Sequence, residues 1–368
     1  MVQRIRRALG RVVSRAQVVS RRPERFVESL ENRQFLNALP IVTGIIADNR
    51  GEVQITLNRY VRGVSKQSVK LFTSGNDGVI GTADDVNINT ARVSFNEAAR
   101  RITIKADTDV NASYRVKLES NLLVTPQGVR LDGEFTGTTP SGNGRQGGTF
   151  NFVARRDRSA TPLVRMTTTE GVITLRLRRD VAAIHASNFQ TYMNSGRYDN
   201  IFFTRSENNP QPFVIQGGAL QIIDDGLQPS DVIAPNRDPA IDDQNDRPDA
   251  LSNILGTMSF AKGGPDSATN QFFINLADNS FLDSPARPDG GFTVFAEVVG
   301  GLNVAQAINQ KPVANLSSQI GTVASSAFAS VNNVPVQNTA QAEAGLVPFR
   351  DLPYIRRIAQ RMKVGALI

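Results

Sequence analysis

The 368-residue chain has no cysteine, no tryptophan and a single histidine, His185. These absences exclude a good deal of chemistry. Without cysteine there is no disulfide framework, no zinc–thiolate site and no thiol nucleophile. One imidazole cannot build a multi-histidine metal site, and a Ser-His-Asp triad would have to run through His185. Long hydrophobic runs are missing too. The nearest, Leu36 to Ala47, is interrupted by Asn37, Pro40 and Thr43 and falls short of the roughly 18 apolar residues that a membrane-spanning helix requires. Whatever the chain does must rest on arginine, lysine, carboxylates, amides, hydroxyls and apolar surface, with no cofactor implied.

What is present has ordinary globular composition, 40% hydrophobic and 20% charged, and the length suggests two domains. The net charge of +7 is concentrated at one end. Residues 1–34 carry nine arginines against three glutamates, so the remainder is nearly neutral. A basic arm can bind nucleic acid or anionic lipid, but it says nothing about the body behind it, for which no nucleic-acid partner is expected. Within the arm, 1–37, no continuous apolar core follows the charges, because Ala8 to Val19 is broken by Arg11, Ser14, Arg15 and Gln17. The run E-S-L-E-N-R-Q-F-L-N-A, Glu28 to Ala38, resembles the N-terminal element of surface and exported proteins of planctomycete-like bacteria. That resemblance implies export to the cell envelope or beyond, with a cytoplasmic location as the alternative.

Over 38–155 apolar residues alternate with polar ones in short runs. Val53, Ile55 and Leu57 make one such run, Val69 and Leu71 another, then Val86 with Ile88, Val93 with Phe95, and Ile102 with Ile104. Tyr114, Val116 and Leu118 follow, then Val129 with Leu131, and Phe150 with Phe152. Period two with turn residues between runs predicts an antiparallel β-sandwich. The stretches A-R-V-S-F-N-E-A-A-R-R-I-T-I-K-A and L-D-G-E-F-T-G resemble bacterial Ig-like domains, which implies a spacer on a surface protein. One glycine-rich loop, G-N-D-G-V-I-G-T-A-D-D, gathers Asn76, Asp77, Asp84 and Asp85. Their oxygens could hold Ca²⁺, although the spacing is not that of an EF-hand and a solvated hairpin turn is the simpler reading. The polar tract Thr136 to Gly148 reads as flexible, and 156–162 as a linker.

From 163 onward the text becomes specific. A strand over T-T-T-E-G-V-I-T-L-R-L is followed by a helix over D-V-A-A-I-H-A-S-N-F-Q-T-Y-M, in which Ala182, Ala186, Phe189 and Met193 recur at helical spacing and His185 reads as a partly exposed helix residue. Four blocks then appear in order: Y-D-N-I-F-F-T-R, F-V-I-Q-G-G, G-T-M-S-F-A-K-G-G-P-D-S-A-T-N-Q-F-F-I-N, and F-L-D with F-T-V-F-A-E-V-V-G-G-L-N-V. Together they resemble the cyclophilin-type peptidyl-prolyl cis/trans isomerases. The resemblance implies a mainly β chain whose C-terminal domain, 163–368, is a closed eight-stranded antiparallel barrel with two capping helices.

The same resemblance implies the site. Arg205 matches the catalytic arginine and Gln216 a polar anchor beside it. Phe213, Val214, Phe273, Phe281, Leu282 and Phe292 match the walls of a proline pocket, Phe281 where many members carry Trp and Phe292 where many carry His or Tyr. Gln271 is a second polar anchor, and Ala261, Lys262 and Gly263 form the edge that pairs with substrate backbone. Phe203, Phe272 and Phe295 read as core. The partner implied is a proline-containing polypeptide segment.

These residue types suit the reaction. An X-Pro bond resists rotation with a barrier of about 18–20 kcal/mol, set by amide resonance, so exchange takes tens to hundreds of seconds. No bond is broken, and neither nucleophile nor metal is required. A guanidinium that donates to the prolyl nitrogen as it pyramidalises acts only in the twisted state and so lowers the barrier.

Three features depart from the family pattern. The connection S-E-N-N-P-Q-P between Arg205 and Phe213 is longer than usual. Asp224 to Asp249 is a long Asp- and Pro-rich loop. A Ser/Ala/Asn/Gln-rich insertion occupies 314–344, leaving 352–364 to supply the closing strand. The rival reading is a catalytically silent barrel that merely binds proline segments.

Overall fold

The computed structural model describes residues 39–106, 113–338, 340 and 347–367, so the basic arm and its export-type segment lie outside the described residues. The alternation read in 38–155 becomes two antiparallel sheets. One has the order Val42–Ala47, Glu52–Leu57, Arg101–Lys105, Arg92–Asn96. The other runs Met362–Ala366, Thr149–Arg156, Tyr114–Glu119, Val69–Thr73, Val86–Asn87. Both sheets send their alternate side chains into one core, where Val53, Ile55, Ile102, Val116, Phe150 and Phe152 are all fully buried. Each such side chain stabilises by about 1.5–3 kcal/mol, so the unit needs no disulfide. Two expectations are corrected here. Val129 and Leu131 form no strand: the turn at 126–128 leaves only isolated bridges, Val124 to Arg130 and Asp132 to Gly147. Val86 is exposed at the end of a two-residue edge strand rather than facing inward.

The second half is built on one long ladder. Its order is Arg205–Glu207, Val214–Gly217, Phe272–Asn275, Thr257–Phe260, Val294–Gly300, Val172–Leu177, Leu163–Thr168, Tyr354–Gln360, Ile201–Phe202, and then two short strands, Gln221–Ile222 and Val232–Ile233. The first and ninth members are consecutive in the chain. Ile201 pairs with Ile355, while Arg205 pairs with Gln216. Between them the Phe203 N–H donates to the Pro353 carbonyl at 3.1 Å and the Thr204 N–H to the Gln216 carbonyl at 2.9 Å. The ladder thus returns to itself through residues 201–207.

Two helices pack on this ladder. Helix α1, Ala183–Asn194, buries Ala186, Phe189 and Met193 against Phe272 and Phe295. Helix α2, Leu302–Asn309, seats Ala305 and Ile308. It starts at Gly301, whose φ of +77° and approach to the Val172 carbonyl leave no room for a Cβ, which would sit 2.1 Å from that oxygen. Phe203, Phe272 and Phe295 are core, as their pattern predicts. His185 is not partly exposed. It is buried beside Phe260, with Nδ1 3.3 Å from Gln244 Oε1, and burial lowers its pKa to about 4.

The described part of the insertion is folded. Val313–Ala314 pairs with Val334–Pro335 and encloses helix α3, Ser317–Ser326. Its apolar residues, Leu316, Ile320, Ala324, Val331 and Val334, form a separate core with Leu220, Val232 and Phe349. The closing segment expected over 352–364 is divided between two sheets. Tyr354–Gln360 pairs with Leu163–Thr168, but Met362–Ala366 pairs with Thr149–Arg156. Ile355 and Ile358 face the large core whereas Met362 and Val364 pack into the first one. The segment drawn from sequence as the end of the second domain therefore completes a sheet of the first.

The two halves meet at polar side chains. Arg357 reaches Asp48 at 3.0 Å and Glu52 at 2.7 Å, and Asn49 exchanges backbone and side-chain hydrogen bonds with Gln360.

Candidate active site

Register assembles the site. Arg205 lies opposite Gln216, and Gln216 opposite Phe273, so three strands present these side chains in one row on one face. Val214, two residues before Gln216, shares that face. With Phe273 and Leu282 it forms a small apolar cluster, completed by the half-buried Phe213, Ala261 and Phe292. Phe292 meets Phe273 edge-on, with ring centroids 5.5 Å apart. The Phe281–Leu282 turn is pinned from behind. Asp283 accepts from the Asn253 backbone and side-chain amides, both at 2.8 Å, and buried Asn275 and Asn279 continue the network.

These groups line a cavity of about 930 Å³. Arg205, Phe213, Val214, Gln216, Ala261, Lys262, Gly263, Gln271, Phe273, Leu282 and Phe292 all border it. Phe281 does not; it is 60% exposed and stacks outside on Phe213 at 6.0 Å. The Lys262 side chain is 1% exposed and turned away, with Nζ 2.6 Å from Asp243, so only its backbone remains available to a substrate. The long 206–212 connection leaves the cavity open, because Asn208 is tied to the Asn309 carbonyl at 2.6 Å and Asn309 reaches back to Ser206 and Glu207.

The polar groups are held in two short relays. Arg205 donates Nε to Glu207 Oε1 at 2.9 Å, and Asn333 donates to the same oxygen at 2.8 Å. Burial works to raise the Glu207 pKa, but the Asn333 amide and the Arg205 guanidinium outweigh it and the carboxylate is held low, hence charged. The terminal nitrogens of Arg205 carry no hydrogen bond among the described residues, and Arg205 borders the cavity. In the second relay Gln216 donates to Gln271 at 3.0 Å, and Gln271 donates to the Ala327 and Phe328 carbonyls at 3.1 and 3.2 Å.

The candidate Ca²⁺ loop is a hydrogen-bonded turn. Its carboxylates serve their own turn: Asp77 accepts from the Val79 N–H, Asp84 from Thr82 and the Asp77 N–H, and Asp85 from the Gly81 N–H. Asp85 also lies 3.0 Å from Arg115. Asn76 adds no acid, and no group of three or more acidic or imidazole side chains among the described residues could hold a metal.

The second half of the chain is similar to known proteins. The family model described as cyclophilin type peptidyl-prolyl cis-trans isomerase matches residues 163–328. A peptidyl-prolyl cis-trans isomerase of Acinetobacter baylyi is 36% identical over 154 residues, 42% of this chain and 74% of that protein. Peptidyl-prolyl cis-trans isomerase A of Dickeya dadantii is 38% identical over the same shares. Isomerase B of Escherichia coli is 35% identical over 40% of this chain and 83% of its own length. The chain belongs to the cyclophilin family. A Cryptosporidium parvum cyclophilin structure, 19% identical, covers 54% of this chain and 97% of its own at a TM-score of 0.35.

Within this cyclophilin, sequence reasoning missed Glu207, Arg237, Arg287, Phe328 and Asn333, all of which border the cavity. Glu207 could have been found, since residues two apart on a strand share a face. Phe328 and Asn333 come from the insertion, where no motif marks them.

Proposed function

We propose that the cavity rotates X-Pro bonds of bound polypeptide segments, with Arg205 donating to the prolyl nitrogen in the twisted state. The chain is a cyclophilin-type peptidyl-prolyl cis-trans isomerase by family; the residue roles are this reading's own. The observation that carries them is the row Arg205, Gln216, Phe273, which sets two free guanidinium nitrogens beside an apolar slot. Phe273, Val214 and Leu282 grip the pyrrolidine ring and exclude water, where a charged donor is strongest. A rate gain of about 10⁵-fold needs about 7 kcal/mol, within reach of one charge-assisted donor, desolvation and an oriented backbone.

We read the ladder's return through residues 201–207 as the closed eight-stranded barrel of the family, and the two-sheet half as an Ig-like spacer. Export is supported by the Glu28 to Ala38 resemblance, and mass spectrometry of the mature N-terminus tests it. An Ala-Pro dipeptide accompanies a second structure of the Cryptosporidium cyclophilin, and proline-containing segments are the substrates proposed here.

The test is exchange spectroscopy on a short X-Pro peptide. The wild type is expected to accelerate exchange, and Arg205→Ala to lower kcat/KM by about 10²–10³-fold with little change in melting temperature. Wild-type exchange no faster than buffer, with the peptide still bound, would establish the silent binding module instead.

A further inference from the structure

Four cations border the cavity, and three of them are neutralised. Arg205 pairs with Glu207, Lys262 with Asp243 and Arg287 with Asp289. Arg237 has no carboxylate partner among the described residues. Its guanidinium lies 4.7 Å over the ring of Phe328 and donates to the Ser326 carbonyl at 3.3 Å. Among the described residues one positive charge is thus left uncompensated on the cavity wall, fixed against the insertion.

Phe328 is unusual in its own right. It follows the end of α3 with φ of +54°, and the Ala329 N–H returns to the Ala324 carbonyl at 2.9 Å. This is the helix-terminating position where glycine is preferred, because a left-handed backbone is strained for residues with a Cβ. A bulky aromatic there gains no burial to offset the strain: its side chain is among the exposed hydrophobics, at 78%. Folding alone would favour glycine. The ring does supply a face for Arg237 and a wall for the cavity.

We propose that Phe328 and Arg237 form a second subsite that takes an acidic side chain of the substrate, near the proline held at Arg205. The Phe328 ring supports the guanidinium from one side, and a substrate Glu or Asp supplies the carboxylate that Arg237 lacks in the free protein. The insertion thereby converts a general X-Pro isomerase into one that favours acidic segments. This rests on the isomerase reading above.

The experiment measures kcat/KM for peptides in which Glu, Ala or Lys is scanned through the positions on either side of one X-Pro bond. Because Arg237 is exposed, the expected preference for Glu over Lys at one position is modest, about three- to tenfold, and it should shrink in 1 M salt. Arg237→Glu is expected to reverse the preference toward Lys, which general damage would not do. Phe328→Gly is expected to abolish the preference while leaving the melting temperature unchanged or higher. Isomerisation with equal rates for all three peptides at every position would overturn the subsite alone, and so would a preference unaltered by Arg237→Glu. An absence of isomerisation with every peptide would overturn the reading on which it rests. Loss of melting temperature in Phe328→Gly would show that the ring serves folding and would likewise defeat the proposal.

Discussion

At the scale of single residues, the guanidinium proposed to donate to the prolyl nitrogen depends on a neighbouring carboxylate. Glu207 holds Arg205 through Nε and is itself held by Asn333, so it is a positioning residue. Glu207→Gln keeps an oxygen that can accept from Nε and is expected to retain kcat within about twofold, whereas Glu207→Ala frees the guanidinium and should lower kcat by about tenfold. KM for an Ala-Pro peptide should hardly move in either variant. Equal losses in both, or a loss confined to KM, would show that Glu207 acts otherwise. Much of this row was legible: Arg205, Gln216 and Phe273 stand in motifs whose spacing register converts into proximity. Phe281 was misplaced because an aromatic motif position does not reveal which side of a turn the ring takes. His185 was misplaced because helical spacing alone did not show Gln244 and Phe260 closing over that face.

At the scale of elements, hydrophobic period identified strands well and partners poorly. Val53 to Leu57 and Tyr114 to Leu118 declare themselves by alternation, and the structure buries the expected face of each. The last strands could not be apportioned in that way. Ile355, Ile358, Met362 and Val364 make one continuous apolar pattern, yet the segment crosses from one core to the other at Arg361, which bridges Asp48 and donates its N–H to the Leu163 carbonyl at 2.8 Å. Removing residues 362–368 is expected to leave Thr149–Arg156 as a bare edge and to expose the core beside Met362, costing about 2–4 kcal/mol. Hydrogen exchange reads this directly. Amides from Phe152 to Arg156 should lose protection while those of Leu163–Thr168 keep theirs. Uniform loss would mean that the strand stabilises both halves alike.

At the scale of the whole molecule, the two halves are joined by a half-buried charge cluster, Arg357 with Asp48 and Glu52, as well as by the closing strand. Burial pushes the Asp48 carboxyl above its usual range, and the Arg357 guanidinium is the largest influence pulling it back. Replacing Arg357 with Ala strands two carboxylates and is expected to cost about 3 kcal/mol at neutral pH. The sign of the pH dependence follows from the raised titration of Asp48. Its protonated form is the better tolerated in the fold, and more so without Arg357, so the deficit should narrow as pH falls toward the carboxylate range and widen as pH rises through it. Urea melts of both proteins between pH 4 and 8 check this, and a deficit that does not vary with pH would contradict it. None of this was visible in the sequence, since Asp48 and Arg357 are more than three hundred residues apart and no motif joins them.

The pairing of Met362–Ala366 with Thr149–Arg156 also sets an order of events during synthesis. A ribosome releases the early sheets with one margin vacant, and that margin waits while some two hundred further residues emerge and fold. Maturation of the leading half is therefore gated by completion of the trailing half, and a stalled or shortened transcript would yield an adhesive β-margin rather than an independent module.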